Sequence, residues 1–203
     1  PSDLYEQMPE RLRARDPLIE ACRFAEASSA RLPGFGAQLF HFVQPLFSTS
    51  GDQRRRLVKA ACLLHDTAWR AHPDYRHEVC FDNATRANLG GLDHEGRVFL
   101  GLALLHRYKN NRAGSRLDPL FALLSEKQIG DAEVLGKAMR FGAMFSSKAL
   151  DQMAELHYHP KQKRLELWLA PAARDLFGEV AEARFASLAK SLGVETGVKI
   201  KRA

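Results

Sequence analysis

The chain has 203 residues, 45% hydrophobic and 27% charged, a balance that can bury a core of one ordinary domain or one plus a small second. Thirty Lys and Arg against 24 Asp and Glu give a formal charge of +6, which favours polyanionic partners through the summed field. No run approaches the ~20 apolar residues of a membrane span, and no basic-then-apolar leader precedes the first helical pattern, so neither a membrane nor secretion is expected. Cys22, Cys62 and Cys80 lie inside apolar helical patterns without CxxC spacing. They read as buried free thiols in a reducing cytoplasm.

Asp16-Pro17 pairs an N-cap with proline at the first helical position, and the helix behind it carries Ile19, Cys22, Phe24 and Ala27. Pro33-Gly34 breaks it. Phe35 to Phe47 is amphipathic, and Ser48 to Gly51 is a loop in which Ser50 and Gln53 have capping-box spacing. The helix that follows is expected to reach Ala68. Its apolar run, Leu57 to Leu64, closes on the pair His65-Asp66. A turn at 71–74 leads to a helix from about Tyr75 to Leu89, stopped by Gly90-Gly91. Asp93 caps the next helix, which ends in His106-Arg107-Tyr108-Lys109. Two further helices are expected, Asp118 to Leu124 and Asp131 to Phe145.

Past about residue 152 the period changes. Leu156 to His159 and Leu165 to Leu169 alternate across a polar turn and predict a β-hairpin. Pro171 opens a helical stretch to Leu192 with Leu176, Val180, Ala183, Phe185 and Leu188 inward. Gly193 stops it, and Val194 to Lys201 alternates again. The fold class is therefore mainly α. An all-helical domain over 1–151 is followed by a small β-β-α-β cap over 152–203.

An imidazole and a carboxylate side by side at the inner end of a buried helix are ligand types that a divalent metal can share. The His65-Asp66 doublet is the one that names the HD superfamily of metal-dependent phosphohydrolases. The order of segments resembles the C-terminal half of the Ppx/GppA family of exopolyphosphatases and guanosine pentaphosphate phosphohydrolases. The resemblance rests on Arg56 to Trp69, His72 to His77, Leu104 to Lys109, Val134 to Phe145, and the terminal hairpin, helix and strand.

The resemblance implies an HD-like helical bundle, with hydrolysis carried by N-terminal domains of the same chain that contain glycine-rich phosphate loops. No such loop is visible here. The chain starts at Pro1 without methionine, as an excised C-terminal portion would. A working HD site also needs a histidine from the preceding helix and an aspartate from a late one. Family spacing puts Phe35 at the first position. It puts Gly142, Ala143 or Met144 at the second. His41 lies six residues beyond Phe35, a net 120° round the helix. The doublet thus reads as scaffold, with no metal and no catalytic residue in this portion. Gathering of His72, His77 and His106 around His65 is the alternative.

His157 and His159 share one strand face and read as solvated. A cysteine nucleophile has no local base. Arg107 and Lys109, with His106, are the first candidates for polyphosphate, and Arg54, Arg55 and Arg56 come next. Arg76, Arg86, Arg112 and Arg116 add to the basic count. The resemblance further implies polyphosphate or pppGpp as ligand, a homodimer, and Mg2+ for the full-length enzyme. A self-sufficient HD phosphohydrolase acting on nucleotides is the competing function. Nucleic acid is disfavoured, because no helix-turn-helix or aromatic RNA-binding motif is present.

Overall fold

A computed structural model describes residues 16–86, 89–110, 118–146 and 149–202, with the side chains of 85 and 86 left aside. Arg112 and Arg116 lie outside the described residues, as does the side chain of Arg86. The elements are α1 (Pro17–Ser29), α2 (Phe35–Val43), α3 (Asp52–Leu64), α4 (Arg76–Arg86), α5 (His94–Tyr108), the single turn α6 (Asp118–Phe121), α7 (Glu126–Gly142), the single turn α8 (Leu150–Met153), β1 (Ala154–His159), β2 (Arg164–Leu169), α9 (Glu179–Leu192) and β3 (Glu195–Ile200). The expected mainly helical chain with a terminal β-β-α-β unit is what the structure has. Among the described residues no helix is long and apolar enough to cross a membrane.

α5 is the central helix. Val98, Phe99, Leu100, Leu102, Ala103 and Leu105 are all at most 1% exposed, which a helix sandwiched on several sides requires. α4 and α7 flank it, and α3 crosses it. Two glycines permit the close approach. A Cβ on Gly101 would sit 2.6 Å from the Phe81 ring, and one on Gly136 would sit 2.3 Å from His106 Cβ. β1 pairs antiparallel with β2, Ala154 opposite Leu169 and His159 opposite Arg164, and β3 pairs parallel with β2 through the α9 crossover. α9 docks on α7 around Phe141, whose ring meets those of Phe42, Phe145, Phe177 and Phe185. The buried side chains of bundle and sheet form one cluster.

Caps set most of the helix starts. Asp16 accepts from Leu18 N at 3.0 Å and Asp93 from Gly96 N at 2.7 Å, as the sequence predicts. Other ends differ. α2 tightens into a 3-10 turn at Gln44–Phe47, since Pro45 has no N–H to continue an α-helix. α3 takes Gly51 as its N-cap, because Ser50 is tied back into the loop through its N–H to Phe47 O. It ends at Leu64 and not at Ala68: both the N–H and the hydroxyl of Thr67 turn back onto Leu64 O. α4 begins at Arg76, after a 3-10 turn at Pro73–Tyr75.

α7 begins five residues earlier than expected. Ser125 and Gln128 form a full capping box, which offsets the cost of about 1 kcal/mol for Gly130 in the helix. The stretch from Pro171 is two pieces. A 3-10 turn over Pro171–Leu176 ends where Phe177 tucks toward Phe141, and Gly178 restarts the chain as α9. The rephasing leaves Val180 and Ala183 exposed and turns Ala181, Phe185, Leu188 and Ala189 inward.

Candidate functional site

The His65-Asp66 pair stands at the turn that ends α3, at the wall of a pocket of about 450 Å³. Arg31, Leu32, Phe35, Arg107, Ala143 and Ser146 complete the lining. Both residues are buried, His65 at 6% and Asp66 at 5% exposure. Phe35 lies at the start of α2, its ring centroid 5.7 Å from that of His65. Ala143 follows the end of α7. Phe35 and Ala143, the latter one of the three residues at which the second donor is expected, thus line the same pocket as the doublet, and they carry a phenyl ring and a methyl group.

Two arginines hold the polar atoms of the doublet. Arg31, in the loop after α1, lays its guanidinium along Asp66, with Nε at 3.1 Å from Oδ1 and 2.9 Å from Oδ2 and an Nη2 contact to Oδ1. Its backbone N–H adds a bond to Oδ2 at 3.2 Å. Burial works against ionisation of Asp66. The Arg31 fork, the His65 ring and the N–H outweigh it, and the carboxyl lies below its usual range. Arg107 Nε donates to His65 Nδ1 at 3.3 Å, which assigns the ring proton to Nε2. Burial, then the Arg107 charge, pushes His65 down to about 3, so the imidazole is neutral. Tyr108 Oη donates to His65 O, and burial raises its phenol to about 12. Trp69 closes the outer side, with Nε1 on Ser29 O at 2.8 Å and its ring near the guanidiniums of Arg31 and Arg70.

This donor set does not fit a metal ion. Asp66 has both oxygens in a guanidinium fork, and His65 offers one nitrogen to Arg107 and carries the proton on the other. Among the described residues no group of three or more His, Cys, Asp or Glu stands close enough to hold an ion. His72 is exposed and turned to Asp74 N and the Tyr75 ring, while His77 lies by Glu78. His41 is exposed and lines a different pocket, against β1.

The anion candidates separate. Arg107 is half-buried at the doublet, and Lys109 follows α5 in extended backbone. His106 does not join them. It is 2% exposed in the seam between α5 and α7, so its side chain has no surface to offer a polyanion, which corrects the expectation for this residue. Arg54, Arg55 and Arg56 lie at the opposite end of α3 from the doublet, roughly 16 Å along the axis at 1.5 Å per residue.

The structure gives each of the three a local task. Arg54 stacks on the Phe99 ring at 3.9 Å and pairs with Asp131 at 3.5 Å. Arg55 pairs with Asp52 at 2.7 Å. Arg56 forks Asp16, the cap of α1, and donates to Gly91 O at 2.9 Å. Carboxylates already answer these charges. Two basic residues that the sequence reading passed over, Arg140 and Arg184, are half-buried near Arg107. Each immediately precedes a core phenylalanine, Phe141 and Phe185, in a helix whose sequence does not single it out, so only the tertiary packing brings them forward.

On the sheet face away from the core, His157 stacks on Trp168 with centroids 3.9 Å apart and bonds to Glu155 at 3.1 Å. His159 bonds to Glu166 at 3.1 Å, and Lys199 reaches the same carboxylate at 3.0 Å. The two histidines are thus members of a cross-strand charge ladder.

No curated protein sequence matches the chain. The family model described as "Exopolyphosphatase, C-terminal" matches residues 18–199, from the first turn of α1 into β3. The guanidinium-held doublet and the β-β-α-β unit both lie inside that span, and the chain belongs to the exopolyphosphatase C-terminal family.

Proposed function

We propose that this chain is the non-catalytic C-terminal portion of an exopolyphosphatase or pppGpp phosphohydrolase. It helps bind the polyanion and supports a homodimer. Hydrolysis, with its Mg2+, belongs to N-terminal domains of the parent protein, which works in the cytoplasm. The observation that carries the reading is the pair of guanidiniums on the doublet. Arg31 on Asp66 and Arg107 on His65 stand where a hydrolytic HD centre would hold its ion. Arginine there also turns the pocket from a cation site into one that favours phosphate oxygens.

Arg107 and Lys109 are the binding residues of this reading. The purified chain should bind long-chain polyphosphate in a salt-sensitive way, as a polyanion contacted by several cations does. Arg107→Glu with Lys109→Glu should weaken that binding at least tenfold. Unchanged affinity in low salt would remove these residues from the contact. Release of phosphate by the isolated chain on addition of Mn2+, abolished by EDTA, would favour instead the self-sufficient phosphohydrolase.

A further inference from the structure

The pocket beside the doublet is lined by donors that the described residues leave unused. Arg107 commits Nε to His65 Nδ1 at 3.3 Å, and its guanidinium carbon stands over the Tyr108 ring, 4.6 Å from the centroid. Among the described residues its two terminal nitrogens meet no acceptor, and it makes no ion pair. With Nδ1 taken as an acceptor, the neutral His65 ring carries its proton on Nε2. That nitrogen also has no partner among the described residues, and it keeps accessible surface. Arg31 has Nη1 outside its fork on Asp66. The Ser146 hydroxyl is unbonded too, while its backbone N–H goes to Ala143 O.

Arg31, His65, Arg107 and Ser146 line one cavity of about 450 Å³. The acceptors around it are already answered. Both Asp66 oxygens lie in the Arg31 fork. Carbonyls at the ends of α3 and α5 would oppose an anion, but each has a donor. Thr67 N–H and hydroxyl bond to Leu64 O, the Tyr108 hydroxyl to His65 O, and Lys109 N–H to Leu105 O. Burial lowers the proton affinity of Arg107, a cation taken from water without a carboxylate of its own. A cavity rich in unused donors and poor in free acceptors selects an anion with several oxygens at close quarters.

We propose that this cavity holds one terminal phosphoryl group, whose free oxygens accept from the terminal nitrogens of Arg107, from His65 Nε2–H and from the Ser146 hydroxyl. The phosphate chemistry rests on the polyanion reading above. The preference for a chain end over a chain interior, and the parts played by His65 and Ser146, go beyond it. An interior unit offers fewer free oxygens and a chain that leaves on both sides. A pocket walled by the buried doublet suits an end.

The test is calorimetric titration of the whole chain with sodium pyrophosphate and with sodium trimetaphosphate, a ring of comparable charge that has no terminal phosphoryl group, at equal ionic strength. The proteins are the wild type, Arg107→Gln, Ser146→Ala and the distant Arg23→Gln. The wild type and Arg23→Gln should bind one pyrophosphate per chain and bind the ring roughly tenfold more weakly. Ser146→Ala removes one neutral hydrogen bond and should weaken pyrophosphate by about threefold to tenfold, and Arg107→Gln by about tenfold or more. Ser146→Ala keeps the test intact should Arg107→Gln not fold. In the wild type the imidazole N–H proton of His65 should shift on binding, which the general charge of the chain would not cause. Linear tripolyphosphate that displaces pyrophosphate assigns a chain end as occupant, and pyrophosphate held without such displacement assigns the free anion.

Equal affinity for ring and pyrophosphate, no binding of pyrophosphate, or unchanged affinity in both pocket variants would each overturn the end-group site. Long-chain polyphosphate bound in spite of any of these leaves the polyanion reading standing. Selective pyrophosphate binding that the variants lose, without binding of long chains, keeps the site and sinks that reading.

Discussion

Arg31 takes both oxygens of Asp66 from 35 residues upstream, and it does so with side chain and backbone together. The pair locks the loop after α1 to the end of α3. Its loss leaves a carboxylate that is 5% exposed without the fork that pairs with both its oxygens. The Arg31 side chain is 47% exposed, so solvent tempers the cost. Arg31→Gln should destabilise by about 1–2 kcal/mol, measured by urea unfolding. Asp66→Asn with Arg31→Gln should recover part of that loss. A double variant no better than the single one would deny the coupling.

The neutral state of His65 predicts an acid response. In the unfolded chain it titrates near 6.5 and in the fold near 3, so between those values the unfolded chain binds more protons. The contribution is fully present above pH 6.5 and drains away as pH falls toward 3. By pH 5 the loss amounts to about 2 kcal/mol. His65→Gln keeps an acceptor for Arg107 and removes the titration. Its stability should change by that much less between pH 7 and 5, read from urea midpoints at each pH. Parallel curves would mean that the ring is charged or exposed.

Two glycines in α7 should respond with opposite signs. A Cβ on Gly136 would meet His106 Cβ at 2.3 Å and Ala103 O at 2.6 Å, and neither can yield without parting α5 from α7. Gly136→Ala should cost roughly 2–3 kcal/mol. Gly130 faces open space, and Gly130→Ala should gain roughly 0.5–1 kcal/mol by helix propensity. Chemical denaturation of the two variants checks both, and a loss at Gly130 would contradict the open surface.

Glu26 is 8% exposed, and its carboxylate accepts from Gly34 N at 3.0 Å and Gly36 N at 2.8 Å. It serves as the cap that Gly34 cannot provide, at a helix start where the dipole favours an anion. Glu26→Ala strands two donors and should destabilise by about 2–4 kcal/mol. Glu26→Gln retains one acceptor and should lose less. Amide exchange at Gly34 and Gly36 reports the same bonds, and protection there unaltered by Glu26→Ala would refute the cap.

Much of this was legible along the chain. Short-range chemistry announces itself there: the Asp16 and Asp93 caps, the hairpin alternation, and the place of Phe35 opposite the doublet, where a ligand is expected. Long-range partners do not announce themselves. Arg31 lies in a loop with no motif, and nothing local says that its fork will close on Asp66. Arg54 to Arg56 look like a solvated basic run, with Asp52 one turn before Arg55, until Asp131 and Asp16 arrive from elsewhere on Arg54 and Arg56. His106 continues a polar helix end in sequence, yet the rotation of α5 turns it into the α7 seam while its neighbour Arg107 turns to the pocket. Helix ends failed for a similar reason. Apolar Ala68 and Trp69 keep helical spacing past Leu64 because a turn, not a further helical turn, buries Ala68 and half-buries Trp69.

The ring of Phe141, touched by aromatics from α2, from the stretch before α9 and from α9 itself, has a thermodynamic corollary. Sheet and bundle lean on a shared keystone, so neither can melt while the other stays intact. Calorimetry should record a single endotherm, and any proteolytic nick that frees the sheet should loosen the helices with it.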